Sequence, residues 1–264
     1  MTVDLQQAII TSLEVFMLVL VRMTGMMAVS PIFGRKNLPA YFKVGFSFFL
    51  ALLVVSTQAL TLPVTNGSIP EYAAFVVKEF LVGVSIGFIP YLMFSVIYLA
   101  GQLIDMKIGF SMVSVLDPLT NLQIPVTSNF YFMICMIVFI TSNAHHTIVK
   151  AIFDSYSIVP LGYMNMDGNV MSNLIRLFSD IFIVGFKIAA PIVFTILLTD
   201  VALGIISKAM PQMNVFMVGM PLKILVGLII IVITLPAMMA ILSELFRNIE
   251  LETINFMRGI GSSG

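Results

Sequence analysis

Lys208 to Lys223 reads KAMPQMNVFMVGMPLK, a methionine-rich interruption between two strongly apolar segments. Pro211 and Pro221 lack backbone donors and bias the residues before them away from helix, Gly219 permits positive φ, and Gln212 and Asn214 offer amide hydrogen bonds. Residues of this kind turn a chain sharply. Yet Met210, Met213, Val215, Phe216, Met217, Val218 and Met220 fill the same turn, where an ordinary loop in water is polar. The expectation is a turn buried against something, joining two long apolar helices.

The rest of the chain has the composition that such helices need. Of 264 residues, 59% are hydrophobic and 10% charged, with 13 basic residues balancing 13 acidic ones. The mean hydropathy is +1.08, far outside the range of soluble domains. Phosphate binding requires clustered Lys and Arg, and scattered cations without net charge exclude nucleic acid as a partner. Membrane lipid is the expected surrounding. A single cysteine, Cys135, excludes an internal disulfide, and its neighbours Ile134 and Met136 mark it as a small buried hydrophobe.

About 20 apolar residues cross a bilayer core as a helix, and by that measure about six segments qualify. The first, Ile9 to Ile32, holds Arg22 and stops at Ser30-Pro31. No basic residue precedes Arg22, so the n-region of a cleavable signal peptide is missing and this segment is expected to stay in the mature protein. The second, Tyr41 to Leu62, closes at Pro63 and Asn66-Gly67. Ser68-Ile69-Pro70-Glu71 opens the third with a cap, a first-turn proline and an acid facing the helix dipole. That segment runs through Tyr98, with Gly83 and Gly87 spaced for close helix packing and Pro90 as a kink. From Ala100 to Ser128 the chain reads as irregular yet apolar. The fourth segment, Asn129 to Ile140, extends past His145-His146 towards Phe153 and ends by Pro160. A polar link from Gly162 to Asn173 leads to the fifth, Leu174 to Ile206, which Pro191 divides. The sixth, Ile224 to Leu242, is broken by Pro236 and followed by the amphipathic SELFRNIELETINFMRG. The fold class is therefore all-α and membrane-associated, with broken or kinked hydrophobic helices forming helical hairpins. Gly261 to Gly264 reads GSSG, a natural tail or a linker or tag remnant, and no expectation about the fold is drawn from it.

Charge gives no orientation. Arg35, Lys36, Lys43, Lys107, Lys208 and Lys223 lie in links on one side, and Lys150, Arg176, Arg247 and Arg258 on the other. With Arg22, Lys78, Glu79, Lys187 and Asp200 inside the apolar segments, this implies helices that do not all face lipid. Arg22 either snorkels or meets a carboxylate, carbonyls or water. Lys187 and Asp200 stand 13 positions apart, on separated faces of one helix. They cannot pair with each other; either they pair elsewhere or, with Arg22, they serve a stand-alone secondary transporter.

No set of catalytic, cofactor-binding or metal-ligating residues stands out. The only histidines, His145 and His146, are adjacent and point about 100° apart on a helix, a poor start for a metal site without nearby Cys or clustered carboxylates. Walker A and HExxH patterns are absent, and no enzyme activity is expected. The 20 methionines are mostly packing, but Met106, Met112, Met210, Met213, Met217 and Met220 in irregular segments suit an adaptable seal.

Three separated motifs then agree. They are Arg22-Met23-Thr24-Gly25 leading to Pro31-Ile32-Phe33-Gly34 and Pro39; Asp117-Pro118 with Pro125 and then His145-His146 to Ser155-Tyr156 and Pro160; and Pro211-Gln212-Met213-Asn214-Val215-Phe216 to Gly219-Met220-Pro221-Leu222-Lys223. Together they resemble the FliR family of type III secretion export gates over nearly the whole chain. The resemblance implies a non-enzymatic structural subunit of a hetero-oligomeric helical assembly in the bacterial inner membrane, within the flagellar basal body. Its implied partners are FliP, FliQ, FlhB and FlhA, with unfolded export substrates in transit. A homologous subunit of a virulence system is the alternative. The resemblance further implies one export-gate domain, with a P-like part over about residues 1–205 and a Q-like part over about 206–258. Its plug loop corresponds to Lys107, Ile108, Gly109, Phe110, Ser111, Met112, Val113, Leu116, Asp117 and Pro118, within the stretch Lys107 to Thr120. The KAMPQMNVFMVGMPLK turn then becomes a fixed re-entrant hairpin rather than the mobile seal.

Overall fold

A computed structural model describes residues 2–34, 38–61, 68–110, 125–165, 168–212 and 214–261. Among them the regular structure is all helix: α1 (Thr2–Val29), α2 (Ala40–Thr57), α3 (Ile69–Ile108), α4 (Val126–Thr141), α5 (Ala144–Ile158), α6 (Gly168–Ala209), α7 (Val215–Arg247) and α8 (Ile249–Gly261). Five helical stretches are long and apolar enough to cross a membrane, and the bent pair α4 and α5 makes a sixth. This is an all-α membrane protein.

Local chemistry sets several boundaries. Helix α1 stops one residue before Ser30-Pro31, as the pre-proline restriction requires. Ser68 precedes α3, its Oγ donating to Glu71 Oε2 at 3.4 Å while the Glu71 amide donates to Ser68 O at 3.2 Å.

Elsewhere the structure corrects the sequence reading. Helix α3 does not give way to irregular chain at Ala100 but continues to Ile108, burying Ala100, Ile104 and Ile108 along one stripe. Gly101 fits this helix because Ser128 lies against it: a Cβ there would stand 2.4 Å from Ser128 Oγ. The fourth segment is two helices bent by 65°, not one helix through Phe153. The break is Asn143, held at φ 56, a left-handed conformation that asparagine tolerates better than most residues. Pro191 and Pro236 do not divide their segments, and Pro221 lies inside α7. In hydrocarbon, leaving a segment unwound exposes many more backbone groups than the one hydrogen bond a proline removes. The opening turn contracts accordingly to residues 210–214, and Gly219 is helical rather than left-handed.

The chain forms two compact units, each assembled from separate stretches. The first comprises Met1–Leu92, Asn143–Leu177 and Arg247–Gly264, and the second Met93–Ser142 and Phe178–Phe246. In the first, α1 buries Leu18, Val19, Met23 and Met26, α3 buries Val82, Ile86 and Ile89, and α5 buries Ile148 and Ile152. In the second, an aromatic cluster forms the centre. Phe94 lies 5.3 Å from Phe139 and from Phe246 between ring centroids, and Phe139 meets Phe246 edge-on at 5.2 Å.

Candidate functional site

In the first unit, Arg22 on α1 is fully buried and does not snorkel. Its Nε donates to Glu79 Oε2 at 2.6 Å and its Nη2 to Glu79 Oε1 at 3.0 Å, a bidentate pair between α1 and α3. Nη1 donates to Ser155 Oγ at 3.0 Å and Nη2 also to Val159 O at 3.0 Å. The face of Tyr156 covers the guanidinium at 4.1 Å. Glu79 Oε1 additionally accepts the Gly162 amide at 2.8 Å, in a turn where Gly162 takes φ 74.

The same helices approach closely enough for this pair because glycines face backbone. A Cβ on Gly83 would lie 2.1 Å from Arg22 O, one on Gly87 2.6 Å from Met26 O, and one on Gly25 2.7 Å from Phe80 O. The GxxxG spacing of Gly83 and Gly87 is thus a packing device. Glu79 was visible in the sequence as an acid inside an apolar segment, but nothing local to it pointed to Arg22, which lies 57 positions away. The cluster can do one thing well: it pins α1, α3 and the end of α5 together.

In the second unit a polar clasp joins the end of α3 to the start of α4. Asp105 is buried on the last turns of α3, and its Oδ1 accepts the Thr127 amide at 3.1 Å. Pro125, at the cap position of α4, makes no side-chain cap hydrogen bond, so Asp105 supplies the missing acceptor from another helix. Ser128 Oγ donates to Tyr98 O at 3.3 Å beside Gly101. Of the residues matched to the plug, Lys107 and Ile108 form the final turn of α3 and Gly109 turns the chain at φ 102 with Phe110. Ile108 is buried, its Cδ1 2.5 Å from where a Cβ would sit on Gly227 of α7. Ser111, Met112, Val113, Leu116, Asp117 and Pro118 lie outside the described residues.

The third motif forms the α6–α7 turn. Pro211 and Gln212 are exposed, and Asn214 Oδ1 accepts the Met217 amide at 3.4 Å to cap α7. Lys223 pairs with Asp200 across the hairpin, and Leu203 Cδ1 lies 3.1 Å from where a Cβ would sit on Gly219. Within this chain the turn is not buried: Met210 is 58% exposed and Met217 71%.

A family model described as bacterial export proteins, family 1, matches residues 13–249. The chain belongs to that family. Among curated relatives, this family 1 export protein is similar to the flagellar biosynthetic protein FliR of Bacillus subtilis, at 34% identity over 96% of each chain. It is similar also to FliR of Escherichia coli, at 26% identity over 87% of each, and of Aquifex aeolicus, at 29% over 83% of this chain and 84% of the relative.

The span matched by the bacterial export family takes in Arg22, Glu79, Asp105, Thr127, Asp200 and Lys223, and stops at the first residue of α8. The remaining motif residues occupy structural positions. Pro31 opens the turn after α1, Gly34 O accepts Lys43 Nζ at 3.0 Å, and Pro39 caps α2 with φ −65. The three charges considered for a transporter have three different uses in the family 1 chain. Arg22 is held by Glu79, Asp200 by Lys223, and Lys187 is exposed on α6. His145 and His146 begin α5 with ring centroids 4.1 Å apart, and among the described residues no three metal-ligating side chains gather. Cys135 is buried, as its apolar neighbours suggest.

Proposed function

We propose that this chain is a core structural subunit of the flagellar type III protein export gate. It sits in the bacterial inner membrane within the flagellar basal body and helps form the channel through which unfolded flagellar proteins cross. The observation that carries this reading is likeness to flagellar FliR proteins along almost the whole chain, 96% of it in one case. Its partners are the FliP and FliQ subunits, FlhB and FlhA, and it catalyses no reaction. The P-like part extends to about residue 205 and the Q-like part, beginning at the α6–α7 turn, to about residue 258. Apolar side chains left exposed on α6 and α7, such as Phe186 at 60% and Val232 at 70%, supply the surfaces such neighbours cover.

The seal is the stretch Lys107 to Thr120. Two features support it: the stems are pinned by Asp105 and Ser128, and Gly109 redirects the chain out of a helix whose last residue is buried. A firm base lets a segment close a pore without loosening the wall. The test is a chromosomal deletion of Ile108 to Ser114 alongside a null strain. The null is expected to lose flagella and export, while the deletion still assembles but leaks ions through the closed gate. Normal flagella in the null overturn the gate reading; an ion-tight deletion overturns the seal.

A further inference from the structure

Helix α6 presents Phe178, Phe182, Phe186, Phe194, Val201 and Ile205 to its surroundings, each more than two-fifths exposed. From Phe178 to Ile205 this apolar surface runs for about 40 Å at 1.5 Å per residue, against a hydrocarbon core of about 30 Å. Within it stands one exposed cation, Lys187. Ile183, one turn before it, is 49% exposed, and Phe194, two turns after it, is 63% exposed. Among the described residues no carboxylate pairs with Lys187, whereas Asp200 further along α6 pairs with Lys223 of α7.

Lipid alone satisfies this surface only at a cost. A bilayer centred on the apolar stretch holds the Lys187 backbone about 8 Å inside the hydrocarbon edge, so its ammonium must snorkel or find a partner. Sliding the bilayer until Lys187 reaches its edge puts Phe178 and Phe182 into water instead. Both conflicts vanish if protein covers the helix here. A second copy of this chain is a poor occupant. Copies inserted in one orientation bring Lys187 to the same depth as Lys187, and the carboxylates of α6, at Asp180 and Asp200, lie about 10 and 20 Å away along the axis.

We propose that the Lys187 face of α6 is a docking surface for an apolar helix of a different polypeptide, one that carries a single Asp or Glu at the depth of Lys187. The acid completes an ion pair shielded from lipid, and the flanking phenylalanines pack on the apolar turns around it. The pair contributes mainly to choosing the partner and its register, since the net stabilisation of a buried pair is small while a like-charge contact costs several kcal/mol. The inference deepens the gate reading by naming the face and the chemistry of one neighbour, and it stands or falls separately from that reading.

The test places p-benzoylphenylalanine at Ile183 of the full chain in its native membrane, leaving Lys187 intact, and maps the photoadduct by mass spectrometry. The expected adduct is an apolar helix of another membrane protein with an acid within one turn of the attachment point. Lys187→Glu is then expected to lower the recovered complex about tenfold, the effect of 1.4 kcal/mol, and replacement of the mapped acid by Lys to restore it. Lys187→Met controls for insertion and keeps the chain at its normal level in the membrane. An adduct with lipid alone or with a second copy overturns the proposal, as does a mapped helix without an acid. So does a Lys187→Glu chain that reaches normal levels and assembles fully. An adduct of the expected kind in cells whose export does not need this chain would overturn the gate reading and leave the docking face intact.

Discussion

Replacing Glu79 by Ala strands a guanidinium that cannot shed its charge. In the native chain Arg22 donates twice to Glu79 and once each to Ser155 Oγ and Val159 O, under the ring of Tyr156. The substitution removes the two charge-assisted bonds and the acceptor of the Gly162 amide, while two neutral acceptors remain. Breaking a buried pair by removing one partner costs about 3–5 kcal/mol, and the orphaned amide lies within that figure rather than beyond it. Arg22→Met, which leaves the carboxylate with Gly162 alone, is expected to cost a similar amount. The double replacement Arg22→Met with Glu79→Met removes both charges and fills the space with methylenes. The Gly162 amide and the Val159 carbonyl are then left without their partners, at about 1–3 kcal/mol each. The cycle therefore predicts strong coupling, with the double variant losing far less than the two single losses added together. Unfolding of the purified chain by SDS in mixed micelles measures this, followed by far-ultraviolet circular dichroism because the chain has no tryptophan. Single variants each losing under about 1 kcal/mol, or effects that simply add, would refute the assignment of the pair as the pin between α1 and α3.

Gly83→Ala places a methyl 2.1 Å from Arg22 O and is expected to cost about 1–3 kcal/mol in the same assay. Gly45→Ala, which meets nothing within 4 Å, is expected to gain about 0.5–1 kcal/mol. Equal effects at the two sites would contradict the close α1–α3 approach. Asp105→Ala leaves the Thr127 amide without its acceptor, and hydrogen exchange over residues 125–128 is expected to accelerate at a local cost of about 1–3 kcal/mol. Unchanged exchange would remove the clasp. Cys135 is fully buried, so a maleimide is expected to label it only after denaturation.

Much of the fold was legible because bilayer-length apolar runs and proline or glycine punctuation are local signals. The stop before Ser30-Pro31 and the start after Ser68 needed no tertiary information. The errors at prolines share one cause. Pro191, Pro221 and Pro236 were read with the energetics of a soluble chain, where a proline ends a helix, although inside an apolar environment the remaining backbone bonds outweigh the missing one. The bend at Asn143 escaped because an asparagine by itself does not announce a left-handed backbone, which only a minority of asparagines adopt. Candidate-site residues divided the same way. Arg22 and the glycines announced themselves as misfits in an apolar helix, while their partners Glu79, Ser155 and Val159, and Asp105 for Thr127, depend on contacts across 22 to 137 positions.

The α6–α7 turn brings these two levels together. Its methionines were expected to be buried, and within the chain Met210 and Met217 are exposed, yet the backbone beneath them is far from loose. Asn214 caps α7, Lys223 and Asp200 join the two arms, and Gly219 admits Leu203 against the helix. A hairpin fixed at its base and apolar at its tip loses little conformational entropy when a neighbour covers it, because the backbone is ordered before contact. Methionine side chains keep the freedom to match an irregular surface. The frame and the adaptable surface are thus separate residues in one turn: prolines, asparagine, glycine and the ion pair set its shape, and Met210 and Met217 are left to meet whatever packs there.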